Sequence, residues 1–365
     1  MTDHSHDSLQ REQHLLTRLL AARGPRGPGG QEDEVRAICL EELLRHCDDV
    51  WVDSAGNVLG VIGAAACAGA APEHGVSVMA HMDEIAMVVK RVEPDGTLRV
   101  IALGGANPVN FGMCPVEIMA DEDLLPGVLS FGSMHETSGS LQGKDVQSGA
   151  VKWADVHVIT RQSPDDLKRL GVRPGVRVVL SKHWRTPWRV NDALAAHFMD
   201  DRAPVAAVLQ AAQALAERRG ELTRPVYFVF TTLEEESNAG AAYAAATLAC
   251  DVAIAVEVGP VVDEYGTALS VNPIINTGDQ KGYYTRAVAT ELAHAAERCG
   301  YTPQFALLVD FASDASAVMA QGTVAQAGCL AIPTENTHGY EMVLDGAITA
   351  CADTLVAYLT APAAS

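Results

Sequence analysis

The run Gly-Val-Ser-Val-Met-Ala-His at residues 75–81 constrains the fold more than any other stretch of the chain. It is apolar on both alternating faces, which suits a strand covered above and below, and it closes on the polar residues His81-Met82-Asp83. Apolar runs of the same kind recur at residues 226–233, 252–258 and 329–332, with helical patterns at 203–219, 239–249, 284–299 and 314–321. Strands alternating with helices predict an α/β fold: a mixed sheet covered by helices on both faces.

Residues 88–189 break this rhythm. Short strand candidates there are punctuated by Gly, Pro and Asp, and helical periodicity is confined to 164–170, which predicts a β-rich insert. The chain thus divides into residues 1–87 with 190–365 as one discontinuous domain and 88–189 as a second, a division that 365 residues can support. Upstream, residues 15–22 and 32–45 carry helical spacing on either side of a Gly/Pro run at 24–30. Residues 58–80 are rich in Ala, Gly and Val, but Pro72, Glu73 and His74 interrupt them, so they predict two strands and a loop instead of a membrane span.

Charge and cysteine usage narrow the function. With 26 Lys+Arg against 46 Asp+Glu, the net charge of −20 repels phosphate backbones and anionic lipid, so neither nucleic acid nor membrane is expected as a partner. The eight cysteines form no C-x-x-C pair and lie mostly among apolar residues, as reduced buried thiols do. Residues 1–11 have neither the apolar core of a secretory signal nor the Arg-rich pattern of a transit peptide, and a cytoplasmic location is expected.

Open α/β sheets carry their sites outside the carboxyl ends of the strands. In this chain His81 and Asp83 close one apolar run, Glu234-Glu235-Glu236 another, Glu257 lies near the end of a third and His338 in the loop after a fourth; Asp200-Asp201 precedes the helix at 203–219. Each has an ordinary explanation alone: a loop histidine, a solvated charge run, an N-cap. Glu257 is harder to dismiss, since an apolar strand seldom holds a carboxylate without a partner. Five such features at one sheet edge form a mixed N/O donor set suited to Zn, Mn or Co. Residues two apart on a strand share a face, which places Asp83 to accept a hydrogen bond from the free imidazole nitrogen of His81. Adjacent Glu234 and Glu235 diverge, so that one can ligate while the other serves as a general base.

The stretches AHMDEIAMVV (80–89), MDDR (199–202), VYFVFTTLEEESNAGA (226–241), AIAVEVG (253–259), SDASA (313–317) and IPTENTHGYE (332–341) occur in one order over most of the chain. Together they resemble the tetrahedral (TET) aminopeptidase and glutamyl aminopeptidase family of dinuclear metallopeptidases, which have the co-catalytic zinc exopeptidase fold. The resemblance implies two divalent ions per subunit, zinc first with cobalt or manganese as alternatives. Asp200 would bridge them, with Glu235 and His338 on one ion and His81 and Glu257 on the other. It further implies Glu234 as general base for an activated water, a cis peptide at Asp200-Asp201, short peptides as substrates, and an insert that is a small dimerisation β-barrel building a homo-oligomer up to a dodecamer. The chain departs from the family where Glu257 replaces the usual Asp, where Glu236-Ser237 replaces an apolar residue and Gly, and where Glu335-Asn336-Thr337-His338-Gly339 replaces Arg-Tyr-x-His-Ser. The expected activity is aminopeptidase. The alternatives are another amidohydrolase on the same centre, such as an N-acyl amino acid deacylase or carboxypeptidase, and an inactive metal-retaining scaffold, which would have no need of both Glu234 and Glu235.

Overall fold

A computed structural model describes residues 3–25, 32–63, 75–121, 123–133 and 150–361. Its centre is an eight-stranded mixed sheet in the order Asp49–Val52, Val58–Ile62, Val226–Thr231, Gly75–His81, Cys250–Pro260, Gln326–Thr334, Ile274–Asn276, Gln304–Ala306. The four middle strands run parallel, and antiparallel neighbours flank them on both sides. Every residue of Gly75–His81 is buried, as its unbroken apolar run requires.

The two-residue period of the middle strands divides the core. Val76, Val78 and Ala80, with Phe228, Phe230, Ile254 and Val256, pack beneath the helices Met199–Glu217, Arg286–Arg298 and Ala347–Leu359. The intervening Met79, Val229, Ala253 and Ala255 face the other way, against Ala239–Thr247 and Asp314–Ala320. Alanine dominates Ala239–Thr247, whose buried face lets backbone approach the sheet closely: at Gly240 a Cβ would lie 2.1 Å from the Thr232 carbonyl oxygen.

The insert is a closed barrel of Ala86–Val92, Leu98–Leu103, His157–Ile159, Leu124–Ser130, Pro115–Met119 and Arg177–Leu180. Inward-facing Met87, Val89, Leu98, Val100, Val116, Ile118, Val158 and Val178 fill it. The barrel begins slightly before and ends slightly before the bounds expected from texture. After it, Trp188–Val190 and Ala193–Ala196 form a small antiparallel sheet with Glu341–Leu344.

Several elements were not foreseen. The first helix runs Asp3–Ala21 although its apolar period becomes visible only from Leu15, and the edge strands Ile274–Asn276 and Gln304–Ala306 are too short to carry a period. The closing helix Ala347–Leu359 is so rich in small and apolar residues that no polar stripe marks it. The strands expected within residues 58–80 are Val58–Ile62 and Gly75–His81, while the loop between them at 64–74, with Cys67, lies outside the described residues. The seven described cysteines are free thiols. No described helix is long and apolar enough to cross a membrane.

Candidate metal centre

Parallel pairing brings the carboxyl ends of the middle strands level: Thr231 sits opposite His81, and Glu257 opposite Ala331. His81 is the last residue of its strand, Glu257 projects from Cys250–Pro260, and Glu234 begins the short helix Glu234–Ser237 just beyond Val226–Thr231. Asp200 and Asp201 interrupt the start of Met199–Glu217 with non-helical backbone angles, and the peptide between them is cis. His338 arrives from the far end of Gln326–Thr334 in a left-handed conformation, φ 61°.

These residues converge. Asp200 Oδ1 lies 2.9 Å from His81 Nε2 and Oδ2 lies 3.3 Å from His338 Nε2. Glu235 Oε2 is 3.9 Å from His338 Nε2 and Glu234 Oε2 is 4.0 Å from His81 Nε2. One donor atom each from His81, Asp200, Asp201 and Glu257 lies within 4.8 Å of the others, and the same holds for Asp200, Glu235 and His338. Asp200 therefore belongs to both groups. Glu257 reaches the first group from within its buried strand.

The donor chemistry fits divalent cations. Two buried carboxylate oxygens, Glu235 Oε1 and Asp201 Oδ1, have no hydrogen-bond partner. Burial, reinforced by the Asp200 charge, pushes Glu235 up to about 7, and burial with the Asp201 charge pushes Glu257 well above the carboxylate range. Burial alone would lower His338, but its hydrogen bond to Asp200 and the charge of Glu235 prevail and raise it to about 10. Burial would raise Asp200, yet hydrogen bonds from His338 and His81 hold it below the usual range. So much negative charge removed from water is costly until cations neutralise it.

Neighbouring groups hold the donors in place. Asp83 faces the free Nδ1 of His81, as the sequence suggests, through both its main-chain carbonyl at 3.1 Å and its carboxylate Oδ1 at 3.6 Å. The same carboxylate also reaches the other motif. Its Oδ1 and Oδ2 accept the backbone N–H groups of Glu234 and Glu235, each at 3.1 Å, capping the start of that helix. Asp201 Oδ2 accepts the His81 backbone N–H at 2.8 Å. The sequence offers Asp201 only as one of the Asp200-Asp201 pair, the resemblance gives Asp201 no ligand role, and Glu341 is not singled out. The signal for Glu341 is a carboxylate that closes the last motif, at the end of IPTENTHGYE.

A cleft of about 760 Å³ opens over these residues. The insert contributes one wall: the Gly105 carbonyl lies 3.3 Å from His338 Nδ1, and Asn110 Nδ2 donates to the His338 carbonyl at 3.0 Å. Any Cβ at residue 105 would meet the His338 ring at 2.6 Å, so glycine is needed there. Of the residues in the altered last motif, Thr337 lines the cleft beside His338, and Glu236 lines it from the side of Arg177, 3.8 Å away.

The architecture is shared with solved peptidases. The Pyrococcus horikoshii TET1 peptidase superposes with a TM-score of 0.79 at 24% identity, covering 96% of this chain and 99% of its own. Among sequences, the Escherichia coli protein SgcX is 29% identical over 238 residues, 64% of this chain and 60% of its own length. The lysyl aminopeptidase of Pyrococcus furiosus is 27% identical over 274 residues, 72% of this chain and 73% of its own. The fold is the one that these solved peptidases share. A family model for M42 glutamyl aminopeptidase matches residues 60–353, and the chain belongs to that family.

Proposed function

We propose that this chain removes N-terminal residues from short peptides with two divalent ions in its centre. The observation that supports it most is the position of Asp200, whose carboxylate belongs to both donor groups at the floor of an open cleft. His81, Asp200 and Glu257 would hold one ion and Asp200, Glu235 and His338 the other, zinc first, with cobalt or manganese as alternatives. Bound there, the ions would polarise the scissile carbonyl and make water a competent nucleophile near neutral pH.

The remaining chemistry belongs to the chain. Glu234, beside His81 and open to the cleft, takes the proton of the attacking water and delivers it to the departing amine nitrogen. Glu235 faces the other donor group, so the two neighbours divide the base and ligand roles. Asp83 fixes both by holding their backbone N–H groups.

Residues 1–87 and 190–365 form the catalytic domain in this reading, and 88–189 the dimerisation domain. The TET1 structure is of a peptidase that assembles into a tetrahedron or a large octahedral shell, and a homo-oligomer built from dimers, up to a dodecamer, is proposed here in kind. Free thiols and a strongly acidic chain suit a cytoplasmic peptidase.

The test pairs dipeptides and aminoacyl amides with their N-acetylated forms, using chelated protein reloaded with Zn, Mn or Co. Cleavage of free-amine substrates alone, dependent on metal, is expected. Cleavage of the acetylated forms, or full turnover without metal, would overturn the reading.

A further inference from the structure

The SDASA stretch at residues 313–317 contributes no metal donor, yet the structure brings its aspartate next to the proposed base. Asp314 is 2% exposed and begins the helix Asp314–Ala320. Asn238, itself 5% exposed, uses its side-chain amide twice: Nδ2 donates to Glu234 Oε1 at 2.7 Å and to Asp314 Oδ1 at 3.2 Å. The hydroxyl of Thr231, at the end of its strand, donates to the other Asp314 oxygen. Both acceptors of the Asn238 amide are carboxylates, so the NH₂ group is the end that must face them. Asp314 in turn has both oxygens engaged by groups anchored in the sheet and in the turn after Glu234–Ser237.

We propose that Asp314 is a positioning residue for Glu234, acting through the Asn238 amide. A carboxylate that must collect and deliver a proton has to keep one oxygen toward the cleft while the other is held. Asn238 holds Glu234 Oε1, leaving Oε2 on the side of His81. An asparagine amide alone could rotate about its terminal torsion and lose that hydrogen bond. Asp314 removes this freedom by binding the second N–H of the same NH₂ group. Asn238 also carries a left-handed backbone, φ 54°, at the junction of Glu234–Ser237 and Ala239–Thr247, and its side chain reaches back to Glu234, four residues earlier.

The proposal rests on Glu234 as base, and the experiment separates the two ideas. Asp314→Ala, Asp314→Asn, Asn238→Ala and Glu234→Gln are prepared metal-loaded, with metal content and thermal midpoint measured beside kcat and KM. Asp314→Ala and Asn238→Ala are each expected to lower kcat by ~10–100-fold at unchanged KM and metal content. Their combination should cost little more than either alone. Asp314→Asn keeps an oxygen for Asn238 and can donate its own amide to Thr231 Oγ1, so it should retain most of the rate. Placed in the Glu234→Gln background, Asp314→Ala should cause no further loss. Additive losses there, or a fall in kcat accounted for by lost metal, would overturn the role of Asp314 while leaving Glu234 as base. A Glu234→Gln protein of near-normal kcat would remove both.

Discussion

Glu341 Oε2 accepts the backbone N–H of Asp200 at 3.1 Å, so the residue shared by both donor groups is held from behind by a buried carboxylate. The other oxygen, Oε1, accepts the backbone N–H of His338 at 2.9 Å, and one side chain thereby sets the spacing of two donors distant in sequence. Burial and the Asp200 charge push Glu341 up to about 8.

Glu341→Ala would leave those two N–H groups without a partner. The expected cost is about 1–3 kcal/mol of stability for unpaired buried donors, together with ~10–100-fold weaker metal binding. Denaturant unfolding and titration against a competing chelator measure the two effects; unchanged metal affinity would show that Glu341 does not set the donor spacing.

Metal uptake should release protons. His338, raised to about 10, carries its proton at pH 8 in the metal-free protein and must lose it to become a ligand. Glu235, raised to about 7, is mostly ionised at pH 8 and mostly protonated near pH 6, so it adds to the release as pH falls. Calorimetry in two buffers of different ionisation enthalpy should therefore report at least about one proton released at pH 8, more at pH 6, and weaker binding at the lower pH. Uptake without proton release would contradict the assignment of His338 as a donor.

Some of the proposed donor positions were readable because they interrupt or follow an apolar run. His81 and Glu257 stand where a buried strand should carry nothing polar, Glu235 follows such a strand in a charged run, and their common edge follows from parallel pairing. What supports them was not readable. That Asp83 reaches the Glu234 turn as well as His81 depends on how the loop after Gly75–His81 leaves the sheet, and the two-residue period is silent once the strand has ended. The contacts of Glu341 with Asp200 and of Asp314 with Asn238 span many residues, so no local spacing announces them. The barrel was visible as a change of texture, whereas its closure is set by strand pairings that composition does not specify.

Glu84 should matter to stability more than its neighbours. Its carboxylate receives both Nη1 and Nη2 of Arg185, and Nη2 of Arg202 at 2.7 Å, and all three side chains are fully buried. Arg185 follows the last barrel strand and also donates to the Ala22 carbonyl at 3.1 Å, while Arg202 reaches the Met82 carbonyl at 2.8 Å. Glu84→Ala strands two buried cations, for which about 3–5 kcal/mol of destabilisation is expected. Equilibrium unfolding tests this, and a loss below about 1 kcal/mol would mean that water reaches the two guanidinium groups.

The adjacent residues Glu234 and Glu235 differ sharply in how their carboxylates are held. Glu234 Oε1 is held by Asn238, whereas Glu235 Oε1 is buried with no partner and its Oε2 faces His338. A residue with an orphaned buried carboxylate oxygen gains most from a cation. One whose carboxylate is already steadied by an amide is better suited to passing a proton. Replacing Glu235 by Gln should therefore reduce metal content first and rate as a consequence, with partial recovery at high metal concentration. In Glu234→Gln, metal content should stay normal while kcat falls by ~10²–10⁴-fold, the usual cost of removing a positioned base. Elemental analysis beside steady-state kinetics distinguishes the two defects. If the results were exchanged, with Glu234→Gln short of metal and Glu235→Gln fully loaded but slow, the roles would have to be exchanged as well, and Glu236 at the cleft wall would need testing as the base.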